Sequence, residues 1–414
     1  MTRPVLFVCS NQTHVRMFTP VARFLTAETS EVSETSEVLA IRWVALDRYY
    51  RHEAERALRE DRWAEYTLLP RPEGALGTPW EGGPLARLRV FRQGRKAVHE
   101  FLRDAPPGIV VLGNDIGTLE RLFIRNAREL GIPSLLVQEG VFALHDDAVP
   151  QFSAPRRLIQ RAMTCLGLRM ADPGPCGLNG ADHVAVMGDA VARWLTGRGL
   201  PTERIVVTGQ PRYDALYALR HATAPAQGLA SQRIILFSSQ PYVRYNMCSE
   251  TAARQIWQTV IQGVGGLGDE HHLVAKLHPA EDLEWTRRWL TGILPPEWTL
   301  TRDEDVLSLT ARADAVVTVI STTALEALCL GKPVVLLDAC GAVQPIPYVT
   351  SGATLQARDA AQLTVRLREA LYDDAVRQRL AQAREPFVRE HLHILDGKAA
   401  ERVAVAILQR LGQT

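Results

Sequence analysis

Short, uninterrupted apolar runs recur along the chain and alternate with longer segments in which apolar residues return every third or fourth position. The runs are too short for helices and rich in Val, Ile and Leu, the composition of strands buried on both faces. In the first half they are Val5 to Cys9, Val38 to Ala45, Ile109 to Leu112, Ser134 to Val137, His183 to Val186 and Arg204 to Thr208. Strands alternating with helices predict parallel sheets with crossover connections, an α/β fold. Residues 47 to 107 are less regular: an Arg/Glu-rich helical stretch, a Pro/Gly loop from Leu69 to Pro84, and a second helix ending near Asp104. That insertion is where substrate specificity is expected. The echo TSEVSETSEV near residue 29 is too short for a structural repeat and reads as a solvated loop.

The pattern breaks at His221 to Gln232, where Ala, Pro, Gly, Ser and Gln carry no periodic apolar face. Strands then resume at Ile234 to Phe237, His272 to Lys276, Ala315 to Val319 and Pro333 to Leu337. The expected organisation is a first Rossmann-like domain over residues 1–220, a linker at 221–232, and a second domain over 233–414. From Ala360 to Leu411 the pattern is helical only, in two long stretches broken near Pro386.

Length supports the two-domain count, since 414 residues exceed one ordinary core. With 46% apolar and 22% charged residues the chain belongs among soluble globular proteins rather than disordered ones. Lys plus Arg (47) nearly cancels Asp plus Glu (46), so no global field draws a nucleic acid, and an anionic ligand has to be held locally. Cys9, Cys165, Cys176, Cys248, Cys329 and Cys340 show no CxxC spacing, which fits reduced thiols and a cytoplasmic setting. The opening MTRPVLFVCS reads as a first strand rather than a signal sequence, and no window is apolar enough to span a bilayer. Leu85 to Arg103 and Arg156 to Arg169 are basic and amphipathic. Solvated helix faces share that pattern with helices lying on an anionic membrane surface; the solvated face is the commoner outcome, and peripheral association at the inner membrane face is the alternative.

Candidate chemistry gathers at predicted strand ends, where open α/β sheets bind ligands. Lys276-Leu277-His278-Pro279 closes one strand. Pro279 restricts the backbone on both sides, so the His278 imidazole is aimed at its target, as a donor to a phosphate oxygen needs to be. One strand later, Ser321-Thr322-Thr323 begins a helix that carries Glu326. Hydroxyls there can cap the helix, and its first amides with the positive dipole end form an anion site. Glu326 is a candidate for a ribose hydroxyl pair. Gly209, in Val207-Thr208-Gly209-Gln210-Pro211, permits a tight turn, and Arg212 is either a phosphate contact or a partner of Asp214 or another carboxylate.

In the first domain Gly113-Asn114-Asp115 and Gln138-Glu139-Gly140 follow consecutive strands. A general base for a hydroxyl acceptor needs a partly desolvated carboxylate; Glu139 fits best and Asp115 second, since Asp115 is also placed to cap a helix. Ser10-Asn11-Gln12-Thr13-His14 stands where a dinucleotide fingerprint would have glycines, which disfavours an NAD site and makes His14 an alternative base. Asp303-Glu304-Asp305 and His271-His272 lack metal-ligand spacing, so no obligatory metal or other cofactor is expected.

At these residues the chain resembles bacterial surface-polysaccharide transferases of the glycosyltransferase-B type, among them sialyltransferases, Kdo transferases and CDP-glycerol glycerophosphotransferases, which carry an HP motif and a Ser/Thr pair. The resemblance implies two Rossmann-like domains facing across a nucleotide-sugar cleft, often with a terminal helix crossing back to the first. It implies that His278, Ser321, Thr322 and Thr323 hold the nucleotide phosphates and stabilise the leaving group without a metal. The chain is also similar to the non-hydrolysing UDP-N-acetylglucosamine 2-epimerases, through Val207-Thr208-Gly209 and the acid-bearing strand end at Glu139. It departs from them at Ser321-Thr322-Thr323-Ala324-Leu325-Glu326, where they have Ser-Gly-Gly then Gln-Glu-Glu, and at Ser238-Ser239-Gln240-Pro241, where their Arg-x-Glu-Asn signature is missing.

The expected function is metal-independent transfer of a sugar, or a related polyol phosphate, from a nucleotide donor in the second domain to an acceptor held by the first. A nucleotide-sugar epimerase using Asp115, Glu139 and His278, and a non-catalytic nucleotide-sugar sensor, are the alternatives.

Overall fold

The apolar runs of the first half lie side by side. In the computed structural model, which describes residues 3–31, 39–50, 53–63, 65–71, 84–140, 170, 173–221, 232–339 and 346–412, two units are distinguished: Met1–Asp214 with Leu392–Thr414, and Ala215–His391. The division falls at Asp214, ahead of the composition break, whose residues 222–231 lie outside the described ones.

The first unit is built on seven strands, β1 (Val5–Cys9), β2 (Ile41–Ala45), β3 (Tyr66–Leu68), β4 (Ile109–Leu112), β5 (Ser134–Val137), β6 (His183–Val186) and β7 (Ile205–Val207). Their order is β3-β2-β1-β4-β5-β6-β7, all parallel. Side chains alternate between two cores, as a pleated strand requires. Val5, Phe7 and Cys9 enter one with Ile109 and Val111; Leu6 and Val8 enter the other with Val110 and Leu112. Each fully buried Val, Leu or Ile contributes roughly 1.5–3 kcal/mol. Helices α1 (Gln12–Glu31) and α2 (Ala54–Glu60) cover the first face, and α3 (Pro84–Asp104), α4 (Thr118–Glu129) and α5 (Asp189–Thr196) the second. Phe91, Val98 and Leu102 of α3 are buried in that second core, so this face of the amphipathic stretch is engaged inside the unit; Arg156 to Arg169 lies outside the described residues.

The second unit opens with α6 (Asp214–His221), whose first residue ends the first unit. It holds six strands, β8 (Arg233–Ser238), β9 (His271–Lys276), β10 (Thr299–Thr301), β11 (Ala315–Thr318), β12 (Val334–Leu337) and β13 (Leu355–Ala357), ordered β10-β9-β8-β11-β12-β13 and again all parallel. Its further helices are α7 (Glu250–Gly265), α8 (Leu283–Leu290), α9 (Val306–Arg312), α10 (Thr322–Cys329), α11 (Ala360–Tyr372) and α12 (Asp374–Leu392). Ile235, Phe237, Leu273, Ala275, Ala315, Val317 and Val335 form the centre of its core.

Two expectations are corrected. The C-terminal helical region breaks at Asp373 and after Leu392, not at Pro386, which sits inside α12; burial of Phe387, Val388 and Leu392 offsets the backbone hydrogen bond that a proline removes. The bound of the second domain at 414 also gives way: the last helix, α13 (Ala399–Leu411), belongs to the first unit, in keeping with the terminal helix expected to cross back. The Asp214 carboxylate accepts from the amides of Ala399 (2.9 Å) and Ala400 (2.8 Å), and Val403, Ala404 and Ile407 complete the core beside α1. Gly209 makes room for this helix: its φ is 77°, and a Cβ there would stand 3.2 Å from that of Ala399.

Candidate functional site

Both sheets reverse their winding at the centre, between β1 and β4 in the first unit and between β8 and β11 in the second. Crossover helices leave these neighbouring strands in opposite directions and open a crevice at their carboxyl ends, where doubly wound sheets bind ligands.

In the second unit the ends of β9, β8 and β11 meet there. Register sets Ser238 beside Lys276, and Ser239 N–H donates to the Lys276 carbonyl at 2.9 Å. The loop after β9 is a tight turn closed by Glu281 N–H on the His278 carbonyl. Glu281 fixes it twice: one carboxylate oxygen accepts from His278 N–H (2.7 Å), the other from the Ser239 hydroxyl (3.0 Å). Burial raises the pKa of this carboxyl. Inside the loop, Ala280 N–H donates to Nδ1 of His278 at 3.0 Å, so the proton of the neutral ring is on Nε2. Burial, then the charges of Lys276 and Arg244, lower the His278 pKa and keep it neutral. Nε2–H has no acceptor among the described residues, which leaves one aimed donor, and Tyr245 packs edge-on against the ring.

Across β8, Ser321 caps α10 by accepting from Thr323 N–H at 3.1 Å. Thr323 is buried, its hydroxyl bonded to those of Ser238 (3.2 Å) and Ser321 (3.0 Å). Gln240 accepts from Ile320 N–H at 3.1 Å and ties the loop after β8 to the approach to the helix. Thr322 is exposed at the first turn with no hydrogen bond from its hydroxyl among the described residues. The start of α10 therefore presents a free hydroxyl and helix-end amides at the positive end of the dipole, an arrangement suited to an anion.

Three other residues singled out in this unit are placed differently. Lys276 is buried, and its ammonium donates to the carbonyls of Leu277 and Arg302, both at 2.7 Å; it braces the loop. Pro279 forms the turn between His278 and Ala280. Glu326 is buried on the second turn of α10, near enough to Cys329 to add to the upward push that burial gives that thiol.

In the first unit, α1 begins right after β1, and Asn11 accepts from His14 N–H at 2.8 Å. That turn drives His14 inward until it is fully buried. Ser10 N–H donates to its Nδ1 at 3.2 Å, so Nε2 carries the proton and donates to Glu139 at 3.0 Å. Asn11 donates to the other Glu139 oxygen at 3.3 Å. Burial alone would raise the Glu139 pKa; the hydrogen bond from His14, then Asn11 and the charge of Arg212, outweigh it and hold the carboxyl below its ordinary range. Gln210 donates to the carbonyls of Gln138 (2.8 Å) and Glu139 (2.7 Å), fixing the backbone under the carboxylate, and accepts from Arg212 N–H. Arg212 lies over the Tyr213 ring and acts on Glu139 by its charge; Asp214 instead holds α13. Glu139 is the partly accessible member of the pair, its side chain 27% exposed against 0% for His14.

Asp115 is brought elsewhere. Its carboxylate is fully buried and accepts from the amides of Gly177 (3.0 and 3.1 Å) and Asn179 (2.9 Å), pinning the loop before β6. The helix-capping alternative fails too, because the residue before α4 is Gly117 and Asn114 accepts from its amide. At the same crevice stands a buried acid the sequence did not point to, Glu120, bonded to the Ser10 hydroxyl, to Tyr50 (3.2 Å) and to Asn114 (3.4 Å). The residues of the two weak metal patterns each have other partners: Asp303 pairs with Arg302, Glu304 with Arg312, Asp305 caps α9, and His271 and His272 bond Tyr372 and Thr299.

Among solved structures, a UDP-N-acetylglucosamine 2-epimerase shares 15% identity, with 100% of this chain and 98% of that one covered and a TM-score of 0.64. The epimerase from Neisseria meningitidis, solved bound to UDP-N-acetylglucosamine, shares 14% (98% and 100% covered, TM-score 0.60). A calicheamicin glycosyltransferase shares 17% (100% and 99% covered, TM-score 0.61). The fold is glycosyltransferase-B. Epimerases and transferases both carry this fold, and it is shared along the whole chain; no protein-family model and no curated protein sequence matches it. In the glycosyltransferase-B frame the two Rossmann-like units are the ones described above, each with its polar cluster at the carboxyl ends of its central strands.

Proposed function

We propose that the protein is a transferase that moves a sugar, or a related polyol phosphate, from a nucleotide donor to a hydroxyl acceptor, with donor binding in the second unit. The observation that carries the reading is His278: a neutral imidazole, fixed by Ala280 and Glu281, whose Nε2–H has no partner among the described residues, at the switch point that also contains the start of α10. Nucleotide sugars are what the similar epimerases are named for, and one was solved with UDP-N-acetylglucosamine bound. When the bond to the transferred group breaks, at the anomeric carbon of a sugar or at the phosphorus of a polyol phosphate, its electron pair stays on the oxygen of the leaving nucleotide phosphate. A preorganised donor at His278, the Thr322 hydroxyl and the α10 amides stabilise that charge more than they stabilise the ground state. The acceptor oxygen forms the new bond and its proton passes to Glu139. A carboxylate held ionised by His14 is ready to receive it at neutral pH, at some cost in basicity. None of these steps calls on a metal.

Epimerase chemistry is the second reading, favoured by the epimerases among the structural neighbours. It asks for Asp115 as an acid or base, and that carboxylate is enclosed by two amides. Incubation with UDP-N-acetylglucosamine and no acceptor, followed by NMR, separates the two. An unchanged sugar fits transfer, and appearance of an epimer excludes it in favour of epimerisation.

A further inference from the structure

The opposite end of the second sheet carries a cavity of about 320 Å³ that the donor site does not use. It lies at the amino ends of β8, β11 and β12, lined by Arg233, Asp314, Lys332, Arg377 and Arg384, with Leu328, Ala370 and Leu380 among its apolar walls. Helix α10 runs from the candidate phosphate end at Ser321 to this end at Cys329, so at 1.5 Å per residue the two are separated by roughly 12 Å along its axis.

The charges lining the cavity do not cancel. Asp314 is occupied: one oxygen pairs with Arg233 at 2.9 Å and the other accepts from Ile234 N–H at 2.8 Å. Arg377 pairs with Asp374 at 2.9 Å on the surface. Lys332 has no hydrogen bond and no ion pair among the described residues, although it is partly buried. Arg384 donates one N–H to the Gly331 carbonyl at 2.9 Å and forms no salt bridge among the described residues, though the Glu385 charge acts on it. Arg220 acts on the Arg384 guanidinium from nearby with a further positive charge. Gathering unpaired cations at a half-apolar cavity is unfavourable unless something compensates, since burying a charge without a partner is costly. Burial lowers the pKa of both cations and outweighs the nearby carboxylates, Asp314 at Lys332 and Glu385 at Arg384, with Arg220 adding to the downward push on Arg384.

We infer that this cavity is a second binding site, distinct from the donor site, for an organic phosphate monoester whose phosphate sits between Lys332 and Arg384 and whose apolar body rests on Leu328, Ala370 and Leu380. A planar guanidinium fork beside a point-charge ammonium matches a phosphate, and the walls provide area for a small apolar group.

The test is calorimetric titration of the full chain carrying His278→Ala, which weakens the donor site, with phenyl phosphate, inorganic phosphate and phenol as probes. Phenyl phosphate is expected to bind saturably at one site, at least tenfold more tightly than either of the other two. Adding Lys332→Gln and Arg384→Gln should weaken it tenfold or more, while Lys332→Arg retains it, which separates loss of charge from loss of fold. Phenol binding as well as phenyl phosphate, no saturable binding, or binding untouched by the Gln pair would each overturn the assignment.

Discussion

A β-carbon added at Gly113 would stand 2.5 Å from both Cδ2 and Nε2 of His14 and 2.8 Å from its Cγ. The ring has little freedom to retreat: it is fully buried, held by Ser10 N–H at 3.2 Å on one side and Glu139 at 3.0 Å on the other, with Phe18 packed near it. The backbone of Gly113 is not in the left-handed region, so an alanine there is a purely steric perturbation. Forcing an extra methyl group into a packed site costs typically about 1–3 kcal/mol, and displacing the ring adds about 1.5–3 kcal/mol for its hydrogen bond to a carboxylate. Gly113→Ala should therefore destabilise the first unit by about 2.5–6 kcal/mol, read from the denaturant midpoint of its transition. The same substitution placed on a His14→Ala background should cost less than about 1 kcal/mol, because the atoms it strikes are gone. Equal costs in the two backgrounds would refute the close approach of Gly113 to the His14 ring.

Asp115→Ala should leave two buried amides without an acceptor and cost about 1–3 kcal/mol for each, with turnover of the folded protein within a few-fold of the parent; an intact fold with abolished turnover would return Asp115 to the chemistry. Replacing His14 by Ala removes the main influence lowering the Glu139 pKa, so the acid limb of the pH–rate profile should move to higher pH, as kinetics between pH 4 and 8 would record. His278 has a folded pKa below the ordinary 6.5, so the unfolded chain takes up its proton first. Its contribution to stability is complete above about 6.5 and is lost as pH falls through the lower folded value; denaturation at pH 7.5 and 5.5 should show a smaller loss for His278→Asn than for the parent.

The central strands are legible in the sequence because they are buried on both faces, and a run such as Val5 to Cys9 or Ile109 to Leu112 has no other reading. β3, β10 and β13 are not legible. Each has three residues and sits at an outer position of its sheet, too short to show any period. His278 and Ser321 stand out because a strand, a turn and a helix start are local features. Glu281, Glu120 and Ser239 do not, because their meaning comes from partners up to 110 residues away. The same limit applies to Lys276 and Asp115: a charged residue at a strand end is a ligand contact or a brace according to which backbone groups the fold brings to it, and here both are braces.

The most direct test of the account is nucleotide binding by the second unit's crevice, measured by calorimetry on the full chain with CMP, CDP, UDP and GDP. At least one should bind, and His278→Ala should weaken it by about tenfold to a hundredfold, the 1.5–3 kcal/mol of a charged hydrogen bond. Absence of binding by every nucleotide, or binding that His278→Ala leaves unchanged, would contradict the assignment.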